Sequence, residues 1–426
     1  MEKIAIVGTG IAGMGCAHFL HKHFDITLFE QNSYVGGHTN TVTILEDGAP
    51  INIDTGFIVF NRTTYPNLVR LFNQLDVETK KCDMSFGVQH RPSGLEYCGS
   101  GLDGLFAQRK NLFKPSHYRM LLQIKRFNEE ASNDLASGLA HGLSMSEYCD
   151  KKGFGQDFIY KYLTPMSSAL WSTPTDITLK YPAEALIKFF KNHGLLGLDT
   201  QYQWYTVHGG SWQYRNKLIA PFKDRIITDT RVEQVEEVEN GVRIVLDSGE
   251  THYFDKVIMA GHGDQSLKAL SKPTLLQKEL LKNFEYQKNI ATLHTDEKVM
   301  PKIRKVWSAW NYLILEKGKQ LLTTTIYSMN ILQGVSKKKE YFVSINDPGL
   351  IDPEKILKTI EYDHPIFTVD AYKAQHRLQE LNSEGRIYFC GSYFRNGFHE
   401  DALWSAVKLC EKLTGKSLDA KPTYGL

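Results

Sequence analysis

Three glycines in Gly8-Thr9-Gly10-Ile11-Ala12-Gly13, directly after the run Lys3-Ile4-Ala5-Ile6-Val7, have the spacing that binds a dinucleotide pyrophosphate. Gly8 permits a tight turn, Gly10 lets phosphate approach the backbone, and Gly13 lets a following helix pack closely on the strand. The unpaired N–H groups and positive end of that helix favour the anion. A second run, Asp25-Ile26-Thr27-Leu28-Phe29, ends on Glu30, which falls at the distance expected of a carboxylate that accepts ribose hydroxyls. Gly36-Gly37 then brings a further glycine segment within reach. For proton transfer the candidates are His399, Glu400, His294 and Asp296. Ordinary roles compete: a satisfied sheet histidine for His294, and helix capping for the acid pair Glu400-Asp401, above all for Asp401.

These groups must be positioned by a mixed α/β chain. Lys3–Val7 and the Asp25 run read as buried parallel strands, with a helix from Met14 to His21 between them. Short strands are expected at 225–227, 231–235, 242–246 and 254–260, with Asn240-Gly241 and Ser248-Gly249 as hairpin turns. Residues 104–200 read as mainly helical, including Tyr118 to Leu135 and Ala183 to Asn192, and 285–350 reads as a sheet. Gly385 to Gly391 reads as a late strand, followed by a glycine turn and a helix to about Leu413.

Composition narrows the partners. At 426 residues the chain exceeds one ordinary core. A net charge of +2 gives no electrostatic footprint for nucleic acid, although a local basic face toward anionic lipid is compatible with it. No apolar run is long enough to span a bilayer and no signal peptide is apparent, so the expected location is cytoplasmic, with peripheral contact at the inner membrane face as an option. The six cysteines are scattered and read as reduced, and no histidine spacing suggests a metal site.

Glu30, several residues, then Gly36-Gly37 resembles the flavin amine-oxidase and phytoene-desaturase superfamily, with His38 where an arginine is usual. Cys390-Gly391-Ser392 through Gly397-Phe398-His399 resembles its closing flavin motif, with Ser392 in place of an aspartate. Further strings, among them Asp54-Thr55-Gly56-Phe57, Pro165-Met166-Ser167-Ser168 and Phe398-His399-Glu400-Asp401, are similar to a bacterial group of predicted NAD/FAD-binding, amine-oxidase-like proteins associated with relatives of cyclopropane-fatty-acyl-phospholipid synthase.

The resemblance implies a two-domain α/β fold and FAD as cofactor. It implies a Rossmann-type FAD domain from 1–80, 205–265 and 385–418, a sheet-and-helix substrate domain from 81–204 and 266–384, and a tail at 419–426. FAD would be held by Gly8, Gly10, Ile11, Ala12, Gly13, Glu30, Gln31, Gly36, Gly37, His38, Thr39, Thr55, Gly56 and Phe57. Val232 would lie against the adenine, and Gly391, Ser392, Phe398, His399 and Ala402 would lie near the flavin. The implied activity is desaturation of an unsaturated fatty acyl chain, with His399, Glu400, His294 and Phe398 on the catalytic side and a lipid methyltransferase as a possible partner. Amine oxidation, a redox-neutral isomerase and a flavin-binding partner subunit are the alternatives. Amine oxidases place a lysine beside the flavin where the resemblance puts Asn289-Ile290, and Phe398 stands where one tyrosine of their aromatic cage is usual. The aromatics Trp171, Trp204, Trp212, Trp307, Trp310, Tyr312, Tyr327 and Phe398 would suit an apolar tunnel.

Overall fold

The computed structural model describes residues 1–171, 175–197, 201–318 and 320–418; the expected tail at 419–426 lies outside them. Five parallel strands form the first sheet in the order Ile226–Ile227, Asp25–Phe29, Lys3–Val7, Lys256–Met259, Ile387–Phe389. Alternation along Lys3–Val7 divides its residues between two cores. Ile4 and Ile6 pack with Leu20, Leu28, Ile258 and Leu403 on one face. Ala5 joins Phe29, Val257, Met259 and Phe389 on the other, beneath the antiparallel strands Val232–Val238, Gly241–Leu246 and Thr251–Phe254.

The helix Ile11–Leu20 lies beside the last helix, His399–Thr414, in the same core. Their approach is close at Gly15, where a Cβ would stand 2.9 Å from Leu403 Cδ1 and 3.5 Å from Ala406 Cβ. The two helices that open the glycine turn and the closing motif therefore pack against each other, although 374 residues separate even the facing Cys16 and Cys390.

A seven-stranded sheet forms the second part, in the order Ile356–Ile366, Glu285–His294, Phe342–Ile345, Gln320–Ser328, Trp310–Lys317, Phe86–His90, Leu95–Cys98. The strands are antiparallel except where Trp310–Lys317 meets Phe86–His90. The helices Pro115–Ala136 and Thr164–Trp171 pack on it through Met120 and Ala169, and Met145–Lys152 and Ala183–Asn192 join them in a helical layer. Three strands of this sheet fall outside the 285–350 expected from sequence: Phe86–His90, Leu95–Cys98 and Ile356–Ile366.

Two buried carboxylates tie remote segments together. Asp54 accepts from Thr41 Oγ1 (2.5 Å), Ser211 N (2.9 Å) and Gln333 Nε2 (2.7 Å), joining three remote segments. Burial outweighs these hydrogen bonds and pushes Asp54 up to about 6. Glu400 plays the corresponding part at the closing motif.

Candidate active site

The glycine turn is packed as its sequence requires. Gly8 has φ +102°, a conformation that disfavours any side chain. A Cβ on Gly13 would stand 1.9 Å from Gly8 O, so only glycine allows this strand–helix contact. Gly10 differs from both. Its φ of −60° suits any residue, and a Cβ there would meet nothing within 4 Å. Gly37, at φ +57°, lies over it, so close that a Cβ on Gly37 would stand 3.2 Å from Gly10 Cα. Gly36 N donates to Thr9 Oγ1 at 3.3 Å, which locks the two glycine segments together.

Glu30 is buried at the end of its strand. Its Oε2 accepts from Thr9 N (3.1 Å) and Thr9 Oγ1 (2.5 Å), and its Oε1 from Asn32 N and Nδ2 (both 2.9 Å). Gln31 is exposed beside it. Ile11 and Ala12 are buried in the first turn of the helix, and Val232 is buried at the head of its strand against the Phe29 core.

His38 stacks on Tyr362 (4.7 Å between ring centres) and on His364 (5.2 Å). Tyr362 is fixed by Thr55 Oγ1 (2.9 Å), and His364 Nδ1 by Asn289 Nδ2 (2.7 Å). Asn289, not Ile290, is thus the member of that pair turned toward the cleft. Gly56 lies against the backbone of His38, where a Cβ would stand 2.2 Å from His38 O. Phe57 N donates to the same carbonyl at 2.6 Å. Burial first, then neighbouring imidazoles, lowers His38 and His262 to about 4 and His364 to about 3. The buried atoms His38 Nε2 and His262 Nδ1 have no hydrogen-bond partner within the protein.

On the opposite wall the strand Ile387–Phe389 runs through Gly391, whose N–H donates to Ser405 Oγ at 2.9 Å. Ser392 opens a short 3-10 turn, and Gly397 N donates to Ser392 O at 3.1 Å. His399 begins the last helix, with its ring stacked on Phe57 at 3.9 Å and 11°. Its Nε2 lies 2.5 Å from Tyr214 OH, which is in turn hydrogen-bonded to Thr39 Oγ1. Burial, with His38 nearby, lowers His399 to about 3, so its ring is neutral. Ala402 is buried in the same first turn.

The other catalytic candidates lie elsewhere. Glu400 points away from this cleft: it accepts from Asn67 N (3.0 Å), Asn67 Nδ2 (2.8 Å) and Leu68 N (2.9 Å), and so caps the helix Pro66–Gln74. Burial pushes it up to about 7. Asp401 accepts from Phe398 N at 3.0 Å, capping its own helix. His294 is buried in the second sheet, its Nε2 2.8 Å from Ser344 Oγ and its Nδ1 accepting from Asp296 N at 3.1 Å. Asp296 is itself engaged by Lys355 Nζ (3.0 Å) and by Asp352 N (3.0 Å). Geometry therefore leaves His399 as the candidate base in the cleft. The carboxylate of Glu400 is committed to capping because a helix start with unpaired N–H groups is buried beside it.

Phe398 stacks on Phe189 (4.9 Å) and contacts Trp171 (5.9 Å), whose Nε1 donates to Asn396 O at 3.0 Å. This joins the closing motif to the helical layer. The expected single aromatic tunnel is divided: Trp307 packs on Phe342 and under Arg304, and Trp212 Nε1 donates to Gly209 O. Trp171, Tyr181, Leu186 and Phe367 line a small pocket that Arg395 and Asn396 border.

Sequence reasoning missed Tyr362, His364, Tyr214 and Arg215. Arg215 donates to Val35 O at 3.0 Å beside Gly36, which brings a guanidinium to the loop whose usual arginine is His38. Its only signal was its place four residues after Ser211, in the helix Trp212–Ile219.

A family model described as an NAD(P)-binding Rossmann-like domain matches residues 6–75. No curated protein matches the chain. Among solved structures, wild-type putrescine oxidase bound to putrescine is similar with a TM-score of 0.68 and 14% identity, covering 97% of this chain and 99% of that one. Cyclohexylamine oxidase from Brevibacterium oxydans IH-35A gives 0.67 and 15%, with 97% and 99% covered. A CLA-producing fatty acid isomerase from P. acnes gives 0.67 and 12%, with 97% and 98% covered. The fold is therefore that of the flavin amine-oxidase-like proteins over nearly the whole chain, with a Rossmann-like first domain.

Proposed function

We propose that this chain is an FAD-dependent oxidoreductase that removes hydride from an apolar substrate, an unsaturated fatty acyl chain. Gly10 carries the reading. Neither its backbone angles nor its neighbours in the protein require glycine, so its missing side chain serves something that approaches the helix N-terminus from outside. The residues fit FAD. Gly10 and Gly37 expose backbone to the pyrophosphate, and His38 Nε2 and His262 Nδ1 are buried and unpartnered beside it, while Glu30, its oxygens taken by Thr9 and Asn32, shapes the turn rather than accepting the ribose hydroxyls. Bound FAD would supply the hydride acceptor.

The chain's own groups do the rest. The N-terminus of His399–Thr414 favours negative charge at the flavin edge. Phe398, backed by the buried Phe189 and Trp171, presents an apolar surface suited to an alkyl chain. Once hydride has left, the adjacent C–H is acidic enough for the weakly basic, neutral His399, held by Tyr214 and Phe57, to accept its proton.

Anaerobic mixing of the purified flavoprotein with a phospholipid bearing monounsaturated chains tests the proposal: the flavin absorbance should bleach. Protein that purifies without flavin and takes up none would sink the cofactor assignment. Flavin that stays oxidised with the lipid and bleaches with an amine would sink the substrate class. The likeness to a fatty acid isomerase favours redox-neutral movement of a double bond as the second reading; product formed with no electron acceptor consumed would select it.

A further inference from the structure

The outer face of the helix Pro115–Ala136, with the 3-10 turn Arg109–Phe113 before it, carries large apolar side chains turned to solvent. Large apolar side chains normally avoid water when they can pack, yet Phe113 is 86% exposed and Leu122 65% exposed here, with Leu112 and Tyr118 also exposed. They are held on one surface. Tyr118 OH donates to Leu112 O at 3.1 Å, Phe106 contacts both His117 (5.2 Å) and Tyr118 (5.5 Å), and Tyr118 and Leu122 are one helical turn apart. The opposite side of the helix supplies its anchoring: Met120 packs with Tyr97 and Tyr312, and Phe127 with Phe158 and Phe190. The outward apolar residues are therefore not a core that failed to close.

Charge identifies what covers them. Between residues 104 and 128 the sequence carries Arg109, Lys110, Lys114, Arg119, Lys125 and Arg126 and not one Asp or Glu. Arg109 is engaged by Asp103 and Arg126 by Glu130, while Lys110, Lys114 and Arg119 flank the exposed apolar residues. The whole chain is nearly neutral at +2, so this density of cations is local. Apolar side chains rimmed by cations on one helical face match a bilayer interface, where the rings enter the acyl boundary and the cations meet anionic headgroups.

We infer that this face docks the protein on an anionic phospholipid membrane, with Phe113 and Leu122 inserted and Lys110, Lys114 and Arg119 at the headgroups. Among the described residues no helix is long and apolar enough to cross a membrane, so the contact is interfacial. Docking is independent of redox chemistry, and its test reads binding alone.

The experiment is co-sedimentation of the full chain with vesicles of phosphatidylglycerol and phosphatidylcholine, compared with pure phosphatidylcholine. The wild type should bind the anionic vesicles and lose most of that binding in high salt. Each removed cation should weaken binding about fivefold, so Lys110→Ala with Lys114→Ala and Arg119→Ala should lose roughly a hundredfold. Phe113→Ser with Leu122→Ser should also release the protein, and all these variants should keep wild-type circular dichroism because every changed side chain faces solvent. Equal sedimentation with neutral vesicles, or variants that bind like wild type, would overturn the inference. So would a concentration-dependent dimer that Phe113→Ser dissolves, because a second copy would then be the occupant.

Discussion

Gly10 and Gly13 stand three residues apart in one turn, and the structure predicts opposite failures when each is replaced. In Gly13→Ala the new Cβ would stand 1.9 Å from Gly8 O and 3.0 Å from Gly8 C. Both are backbone atoms, so the helix must retreat from the strand by more than an ångström. That retreat pulls on Gly8 N, which donates to Phe29 O at 2.8 Å, and opens the packing of Ile11 and Met14 on Ile4 and Ile6. Overpacking of this kind costs about 1–3 kcal/mol where side chains can yield, and a backbone obstacle puts Gly13→Ala at or above the upper end.

Gly10→Val meets no such obstacle. At φ −60° and ψ 175° a β-branched residue is comfortable, and the Cβ has no neighbour within 4 Å. Restricting the unfolded chain gains about 0.4–1 kcal/mol, and losing glycine as the N-cap costs a similar amount, so the apo-protein should keep its stability to within about 1 kcal/mol. The valine side chain instead projects where pyrophosphate would approach, and flavin affinity should fall by more than a hundredfold. Urea unfolding of the flavin-free proteins and flavin titration of the same samples separate the two effects. Gly10→Val holding a full complement of flavin would refute the cofactor site, and Gly13→Ala as stable as wild type would refute the packing of the turn.

Two other predictions concern the first turn of the last helix. Burial raises Glu400 to about 7 from an ordinary 4.5, so its contribution to stability is complete below about pH 4.5 and is lost as pH rises through about 7. The loss is on the order of 3 kcal/mol, and it should be missing from the pH–stability curve of Glu400→Gln; parallel pH–stability curves for wild type and variant would contradict it. His399→Gln should retain flavin while slowing its reduction at least about a hundredfold. Because burial holds His399 near 3, the wild-type rate should also show no histidine limb around pH 6.5, and a limb there that vanishes in the variant would disprove the neutral ring.

What could be read in the sequence was whatever the local chain determines. The glycine turn was legible because Gly8 answers to its own positive φ and Gly13 to a contact with Gly8 five residues back, and Ala183–Asn192 because its apolar residues recur at helical spacing. The commitment of Glu400 was not legible: its partners lie 333 and 332 residues away, and an acid in a first helical turn reads the same whether it caps its neighbour or faces a ligand. The strand Ile356–Ile366 escaped for another reason. It is an edge strand paired only with Glu285–His294, and its exposed Lys358 and Glu361 hide the alternation that marks a half-buried strand. Tyr362 and His364, two residues apart on one face, went unread with it.

That strand changes the meaning of His38. Taken alone, histidine in place of arginine is the loss of a fixed charge and a five-donor fork. In the folded chain the ring lies on Tyr362 and His364, and His364 is held by Asn289, one of the pair that the resemblance sets where amine oxidases place a lysine. A guanidinium at 38 would have to be desolvated against a tyrosine and an imidazole, whereas a neutral imidazole stacks there at little electrostatic cost. Positions 38 and 289 are thus the two ends of one connected arrangement, Asn289 to His364 to His38, running from the second sheet to the Gly36-Gly37 loop. Uncharged side chains stand along that whole line, the two imidazoles being held neutral by burial. Such a lining is poorly matched to an ammonium substrate and well matched to an uncharged hydrocarbon, so the same neutral line that weakens the likeness to amine oxidases strengthens the proposal of an acyl chain.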